Sequence, residues 1–194
     1  MEEKELDQRL HEMFKEIVVV LETAKQGFLI ENQTTLTEAE RKLTRMLTSN
    51  LPFTEGVVKK ETKDALEKKY LNLLPHLQLM AVMIRDLIKE EKRKIEYTLL
   101  FTDKAMTEIK ELYNFMQTQF QDATDYLLTK NPHLRMHIRT GMEHLLEKAE
   151  DYVTAHEKRL IEGVCVPKAS YSYVAIVDLI KRVSMELNNF SEKL

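Results

Sequence analysis

The sequence predicts an all-α protein, a bundle of long helices, on three observations. Glycine and proline are scarce, with four of each in 194 residues, and so few turn-forming residues argue against a β-rich fold. Apolar residues recur at helical spacing along most of the chain. Charged residues make up 31% of the sequence, and both signs are interspersed along the predicted helices, as on a solvated helix face.

Charge and cysteine content exclude some classes of protein. The formal net charge is −3, so the chain lacks the positive charge that would indicate a nucleic-acid partner. Cys165 is the only cysteine and cannot form an internal disulfide, which is typical of a reducing compartment. The acidic, polar start MEEKELDQRL does not resemble a signal peptide. We therefore expect a cytoplasmic protein.

The most apolar stretch is LNLLPHLQLMAVMIRDLI, residues 71–88. Leu79, Val82 and Met83 add apolar atoms opposite its main apolar face, and a helix that is apolar nearly all round is expected to be buried on several sides. Pro75 and neighbouring polar residues interrupt it, and a bilayer span needs about 20 mostly apolar residues. We expect the central helix of the bundle here. Its predicted core face is Leu73, Leu74, Leu77, Met80, Ala81, Ile84, Leu87 and Ile88.

The first half predicts three helices. Helix one covers about 5–30. Thr35 or Thr37 is the expected N-cap of helix two, and Thr37 with Glu40 resembles a capping box. That helix is predicted to stop at SNLP, where Pro52 and Gly56 indicate a loop. Helix three is expected over about 62–97, with a kink at Pro75.

The second half predicts three more helices in the same order. Thr102-Asp103 opens the fourth, and Asn131 with Pro132 starts the fifth as N-cap and first residue. Gly163 ends the fifth, and the sixth follows the loop VCVPKAS. The order suggests an internal duplication. We predict one domain, 1–194, with repeat one about 1–98 and repeat two about 99–194 sharing a core, in which Val183 and Leu187 are buried with Leu77 and Ile84.

One stretch near the C-terminus carries a family likeness. It contains in order His156, Arg159, Leu160, Gly163, Cys165, Ser170 and Tyr173, then IVDLIKRVSMELNNFSEK. This resembles the second repeat of PhoU-like domains, most of all those on the cytoplasmic C-terminus of bacterial sodium/phosphate cotransporters. The resemblance implies a PhoU-like bundle of two tandem three-helix repeats.

The sequence departs from this family at its metal ligands. In metal-binding PhoU proteins, acids four residues apart on a helix help to hold iron or zinc clusters. Lys181 and Met185 stand at those positions here, and Leu79 with Met83 is the expected pair in the first repeat. We therefore predict no metal and no cofactor. The alternative is a metal-binding helical bundle with iron or zinc, although the ferritin-like form needs Glu-x-x-His pairs, and no histidine here has a glutamate three residues before it.

Other reactive side chains have plain interpretations. Spacing alone would allow a zinc site on the fifth helix, but we interpret that face as solvated. We expect His156 in the core or an interface, hydrogen-bonded to a neighbour. Cys165 shows no base partner in the sequence, so a buried structural cysteine is the favoured interpretation. The residues of the spacing-based zinc site are His133, His137, His144 and Glu147.

The resemblance implies a non-enzymatic regulatory domain that modulates phosphate uptake through contact with a sodium/phosphate transporter, on the same or a separate chain. No phosphate-binding loop or nucleophile elbow is present to suggest an enzyme. The membrane would be reached only through the transporter, at its cytoplasmic face, and a homodimer stays open. The candidate interaction face on the last helix is Asp178, Lys181, Arg182, Met185 and Asn189.

Overall fold

A computed structural model describes residues 3–194 of the chain. Over these residues the chain forms six α-helices and no strand, which confirms the all-α prediction. The helices are α1 (Glu3–Leu29), α2 (Gln33–Lys59), α3 (Ala65–Glu96), α4 (Asp103–Thr129), α5 (Pro132–Ile161) and α6 (Pro167–Lys193).

The cap of α2 differs from the prediction. Asn32 is the N-cap, and its side chain accepts the backbone N–H of Thr35 at 2.9 Å. Thr35 and Thr37 are therefore not caps: both already lie inside the helix, and the Thr37 hydroxyl donates to a carbonyl one turn earlier. The capping box occurs instead at α3, between Asp64 and Glu67.

The helix α2 continues through Pro52 to Lys59, so the predicted loop at SNLP is wrong. Proline removes one backbone donor from a helix, but the side chains on either side bind the backbone. The Asn50 amide donates to the Met46 carbonyl at 2.9 Å, and the Thr54 hydroxyl donates to the Asn50 carbonyl at 3.1 Å. Residues buried before and after the proline, Met46 and Val57, hold both parts of the helix against the core.

The six helices have equivalent neighbours in the two halves of the chain. Helix α2 packs against α1 and α3, and α5 packs against α4 and α6. The halves meet where α1 contacts α4 and where α3 and α6 contact each other. The core therefore lies among α1, α3, α4 and α6, with α2 and α5 on the flanks. The residue at which one repeat ends and the next begins stays a prediction.

The core contains the side chains that the apolar spacing predicts. Leu77 and Ile84 of α3 and Val183 and Leu187 of α6 are all at most 4% exposed. Helices from the two ends of the chain meet at one aromatic contact, since the ring of Phe14 in α1 stacks on that of Phe190 in α6.

The helix α3 is not the centre of the bundle, contrary to the prediction. Met83 is buried, but Leu79 is 46% and Val82 41% exposed. The reason is that α3 has helix neighbours only on the sides of α1, α2 and α6, so within residues 3–194 its outer face has no partner. By length and composition alone α3 could cross a membrane, and in this fold it packs as a bundle helix.

Candidate functional site

The predicted interaction face forms one stripe along α6. Asp178, Arg182, Met185 and Asn189 recur every three or four residues, and all four are exposed. Lys181 lies at the edge of the stripe, where its Nζ is 4.0 Å from a Glu150 carboxylate oxygen of α5. The structure therefore places four of the five residues on one outward surface, and the fifth leans towards α5.

The exposed charges on this stripe are weakly paired. Arg182 and Asp178 lie 3.6 Å apart, one helical turn from each other, and both side chains are more than half exposed. Met185, 45% exposed, lies one turn further along the stripe. Exposed pairs of this kind contribute little to stability, so the charges are available to a partner at low cost to the fold.

Two polar links hold α3 and α6 together as antiparallel neighbours. His76 Nδ1 contacts Oε1 of Glu186, and the Ser172 hydroxyl donates to Glu90 at 2.5 Å. The same number of positions separates His76 from Ser172 and Glu90 from Glu186. The two links are therefore related by one constant shift along the chain, as the predicted internal duplication would require.

The spacing of the two links offers a second alignment of α3 with α6. At the spacing of the two links, Arg85 and Lys89 of α3 align with Lys181 and Met185, and the pair expected from the sequence, Leu79 and Met83, stays a prediction. Arg85 and Lys89 are both exposed, and each lies 3.7 Å from an Asp86 carboxylate oxygen. Neither helix offers a pair of carboxylates at these positions.

Metal ligands do not converge in the described part of the chain. Among residues 3–194 no three or more His, Cys, Asp or Glu side chains are placed to hold a metal ion. The His144 ring packs edge-on against Phe115 of α4, with 4.8 Å between ring centroids. All four residues of the spacing-based zinc site, His133, His137, His144 and Glu147, are exposed. Absence of bound metal stays a prediction, which elemental analysis of protein purified without chelator tests.

A buried charged cluster that was not predicted from the sequence joins α4, α5 and α6. Glu108 is 1% exposed, and both terminal nitrogens of Arg159 donate to its carboxylate at 2.9 and 2.7 Å. The Tyr173 hydroxyl donates to the same carboxylate at 2.6 Å. The hydrogen bond to Glu108 raises the pKa of Arg159. Burial raises the pKa of Tyr173, and the hydrogen bond to Glu108 raises it further. The available signal was a glutamate on the apolar face of a predicted helix, beside Ile109.

His156 and Cys165 lie next to this cluster. His156 is 3% exposed and is hydrogen-bonded to Ser170 at 2.8 Å, which confirms the expectation for this residue. Cys165 is partly exposed, and its Sγ lies 3.9 Å from Nδ1 of His156. The interpretation of Cys165 as a buried cysteine is therefore wrong, and the turn after α5 brings it back towards that helix, close to a histidine that the sequence did not pair with it.

The six-helix arrangement is the PhoU-like helical bundle. PhoU from Pseudomonas aeruginosa matches with a TM-score of 0.75 and 10% identity, covering 98% of this chain and 93% of that one. Two proteins of Shewanella oneidensis MR-1 also match over 97% of this chain and 100% of theirs, each at 12% identity. One is a PhoU-like phosphate regulatory protein with a TM-score of 0.56, and the other a PhoU-like protein with 0.62. No family model matches the sequence, and no curated protein does.

Proposed function

We propose that this chain is a non-enzymatic regulator of phosphate uptake that acts by docking to a transporter. The observation that supports this most is the match to PhoU from Pseudomonas aeruginosa over nearly the full length of both chains. A second structure with this fold is described as a phosphate regulatory protein. The partner that we propose is a sodium/phosphate transporter, on the same or a separate polypeptide, and the place of contact is its cytoplasmic face.

The docking surface that we propose is formed by the outer faces of α3 and α6. These helices are antiparallel neighbours, and their exposed faces combine apolar side chains with charged ones. Leu79 and Val82 of α3 and Met185 of α6 are each more than 40% exposed, while Arg85 and Arg182 add positive charge. Exposed apolar residues with a charged rim are the usual composition of a surface that binds a partner.

Charge reversal on α6 tests this surface. The Lys181→Glu/Arg182→Glu variant should co-purify less with the cognate sodium/phosphate transporter, because both positive charges would be inverted. The fold should persist, since each residue makes only an exposed or long ion pair, worth less than about 1 kcal/mol. Co-purification with the tagged transporter and the helical circular-dichroism signal are the two measurements.

A matched control reverses the same amount of charge elsewhere. Arg139→Glu/Lys158→Glu changes two exposed basic residues of α5, each paired among residues 3–194 only with an acid one turn away, and should bind like the wild type. If both double variants bind normally, the α3–α6 surface is wrong. If deleting the gene leaves phosphate uptake unaltered, the regulatory role is wrong whichever surface binds.

A further inference from the structure

The turn between α5 and α6 places the thiol of Cys165 beside a small cavity. The backbone N–H groups of Val164 and Cys165 both donate to the Arg159 carbonyl, at 2.9 and 3.3 Å. These two hydrogen bonds to one carbonyl oxygen fold the turn back over the end of α5. The cavity has a volume of about 140 Å³, and apolar side chains such as Phe101 and Ala105 form much of its wall. A compact apolar group fits in this space next to the sulfur.

The imidazole of His156 is arranged to accept the thiol proton. Its Nδ1 lies 3.9 Å from the sulfur and its Nε2 lies 2.8 Å from the Ser170 hydroxyl oxygen. The ring is fixed in orientation because it stacks on Tyr173, with 4.2 Å between centroids. Burial, and then the charge of Arg159, lowers the pKa of His156, so the ring is neutral at neutral pH. In the tautomer that donates its Nε2 proton to Ser170, the Nδ1 lone pair faces the thiol.

The guanidinium of Arg159 is a second group that interacts with Cys165. The guanidinium of Arg159 uses its two terminal nitrogens for Glu108, and its Nε is buried without a hydrogen-bond partner among residues 3–194. After the larger effect of Glu108, a side-chain interaction with Cys165 also raises the pKa of Arg159. The thiol therefore has a base on one side and a cation with an unused donor nearby, which is the environment that activates cysteines.

We propose that Cys165 is a reactive thiol that takes compact, apolar α,β-unsaturated carbonyl compounds, with His156 as its base. The thiol proton passes to Nδ1 of His156 as the sulfur forms a bond to the β-carbon of the electrophile. The electron pair of the carbon–carbon double bond moves to the α-carbon, which then takes the proton from His156. The product is a thioether, no group leaves, and the step needs no oxidant or reductant.

The rate of reaction with N-ethylmaleimide tests this site, because the chain has no other cysteine. Intact-mass measurement follows the adduct at neutral pH in the folded protein and in the urea-unfolded protein. An activated thiol should react about tenfold faster in the folded state. A slower reaction in the folded state would show a merely shielded cysteine and overturn the proposal.

Variants separate activation from access. His156→Gln should lose the acceleration, whereas His144→Gln, which changes an exposed histidine of the same helix, should keep it. Ser170→Ala removes the partner of Nε2 and should slow the reaction severalfold even if His156→Gln fails to fold by circular dichroism. A bulky maleimide with a pyrene substituent exceeds the cavity and should show no folded-state acceleration. Equal acceleration for both reagents, or full reactivity in both the Ser170 and His156 variants, contradicts the site.

Discussion

The Tyr113 hydroxyl of α4 donates a hydrogen bond of 2.5 Å to Oε1 of Glu91 in α3. Both side chains are fully buried, and the other carboxyl oxygen of Glu91 has no partner among residues 3–194. Burial raises the pKa of Glu91 well above its ordinary value, and it also raises that of Tyr113. The two groups therefore form a neutral polar pair in the core, and Glu91 keeps its proton where an exposed glutamate would ionise.

This pair predicts a pH-dependent loss of stability that glutamine removes. Because the pKa of Glu91 is raised in the folded state, the contribution of this residue to stability is fully present at pH values below its pKa in the unfolded chain, near 4.5. It is lost as the pH rises, since only the unfolded chain ionises. The difference in free energy of unfolding between Glu91→Gln and the wild type should therefore shift in favour of Glu91→Gln by up to about 1.4 kcal/mol for each pH unit above that value. Urea unfolding between pH 5 and 8 measures this difference.

An exposed glutamate of the same helix provides the control. Glu96→Gln should give a stability curve parallel to that of the wild type, because Glu96 is exposed at the last position of α3. If Glu91→Gln also runs parallel to the wild type over this range, Glu91 is ionised in the folded protein and the predicted neutral pair is wrong.

The buried Glu108–Arg159 pair predicts a large cost for removing one partner. Arg159→Met would leave the Glu108 carboxylate buried without its cation, which typically costs about 3–5 kcal/mol. The same change at Arg182 removes only an exposed pair and should cost less than about 1 kcal/mol. Urea unfolding compares the two variants. The Glu108→Gln/Arg159→Met double variant should regain much of the loss, and equal costs at Arg159 and Arg182 would contradict the buried pair.

The two faces of α3 predict opposite responses to the same substitution. Ile84 is fully buried and Val82 is 41% exposed. Ile84→Asp should cost several kcal/mol or abolish folding, because it buries an unpaired charge. Val82→Asp should change the free energy of unfolding by no more than about 0.5 kcal/mol, as at other surface positions. Chemical denaturation measures the free energy of unfolding of both variants. Similar losses at the two positions would mean that Val82 is buried as well and that α3 is the central helix of the bundle.

The sequence predicted the core better than the surroundings of each helix. Apolar spacing identified the buried faces, including Ile84 and Leu187, because burial along a helix follows a period of 3.6 residues. It did not show that Val82 faces outwards, since a count of apolar residues cannot say how many neighbours a helix has. That number depends on how the helices pack, which is a property of the whole fold.

The candidate site could be predicted only in part for a similar reason. The stripe from Asp178 to Asn189 lies on one helix, so its spacing sufficed to place it. The cluster of Glu108, Arg159 and Tyr173 joins three helices, and the approach of Cys165 to His156 depends on a turn. One sequence contains no direct record of contacts between elements, so these arrangements required the structure.

Alanine is predicted to have opposite effects at two helical glycines, one with free space around it and one in close contact with a neighbouring helix. Gly56 lies inside α2 beyond Pro52, and a Cβ there would meet nothing within 4 Å. Gly56→Ala should therefore stabilise the protein by up to about 1 kcal/mol, because alanine favours the helix over glycine. Gly27 of α1 has no such room, since its Cβ would lie 2.9 Å from the Leu36 side chain and 3.0 Å from the Leu36 backbone nitrogen. Gly27→Ala should destabilise by about 1–3 kcal/mol, and the midpoints of thermal unfolding compare the two. A loss of stability in Gly56→Ala would mean that α2 ends near Pro52, as the sequence predicted.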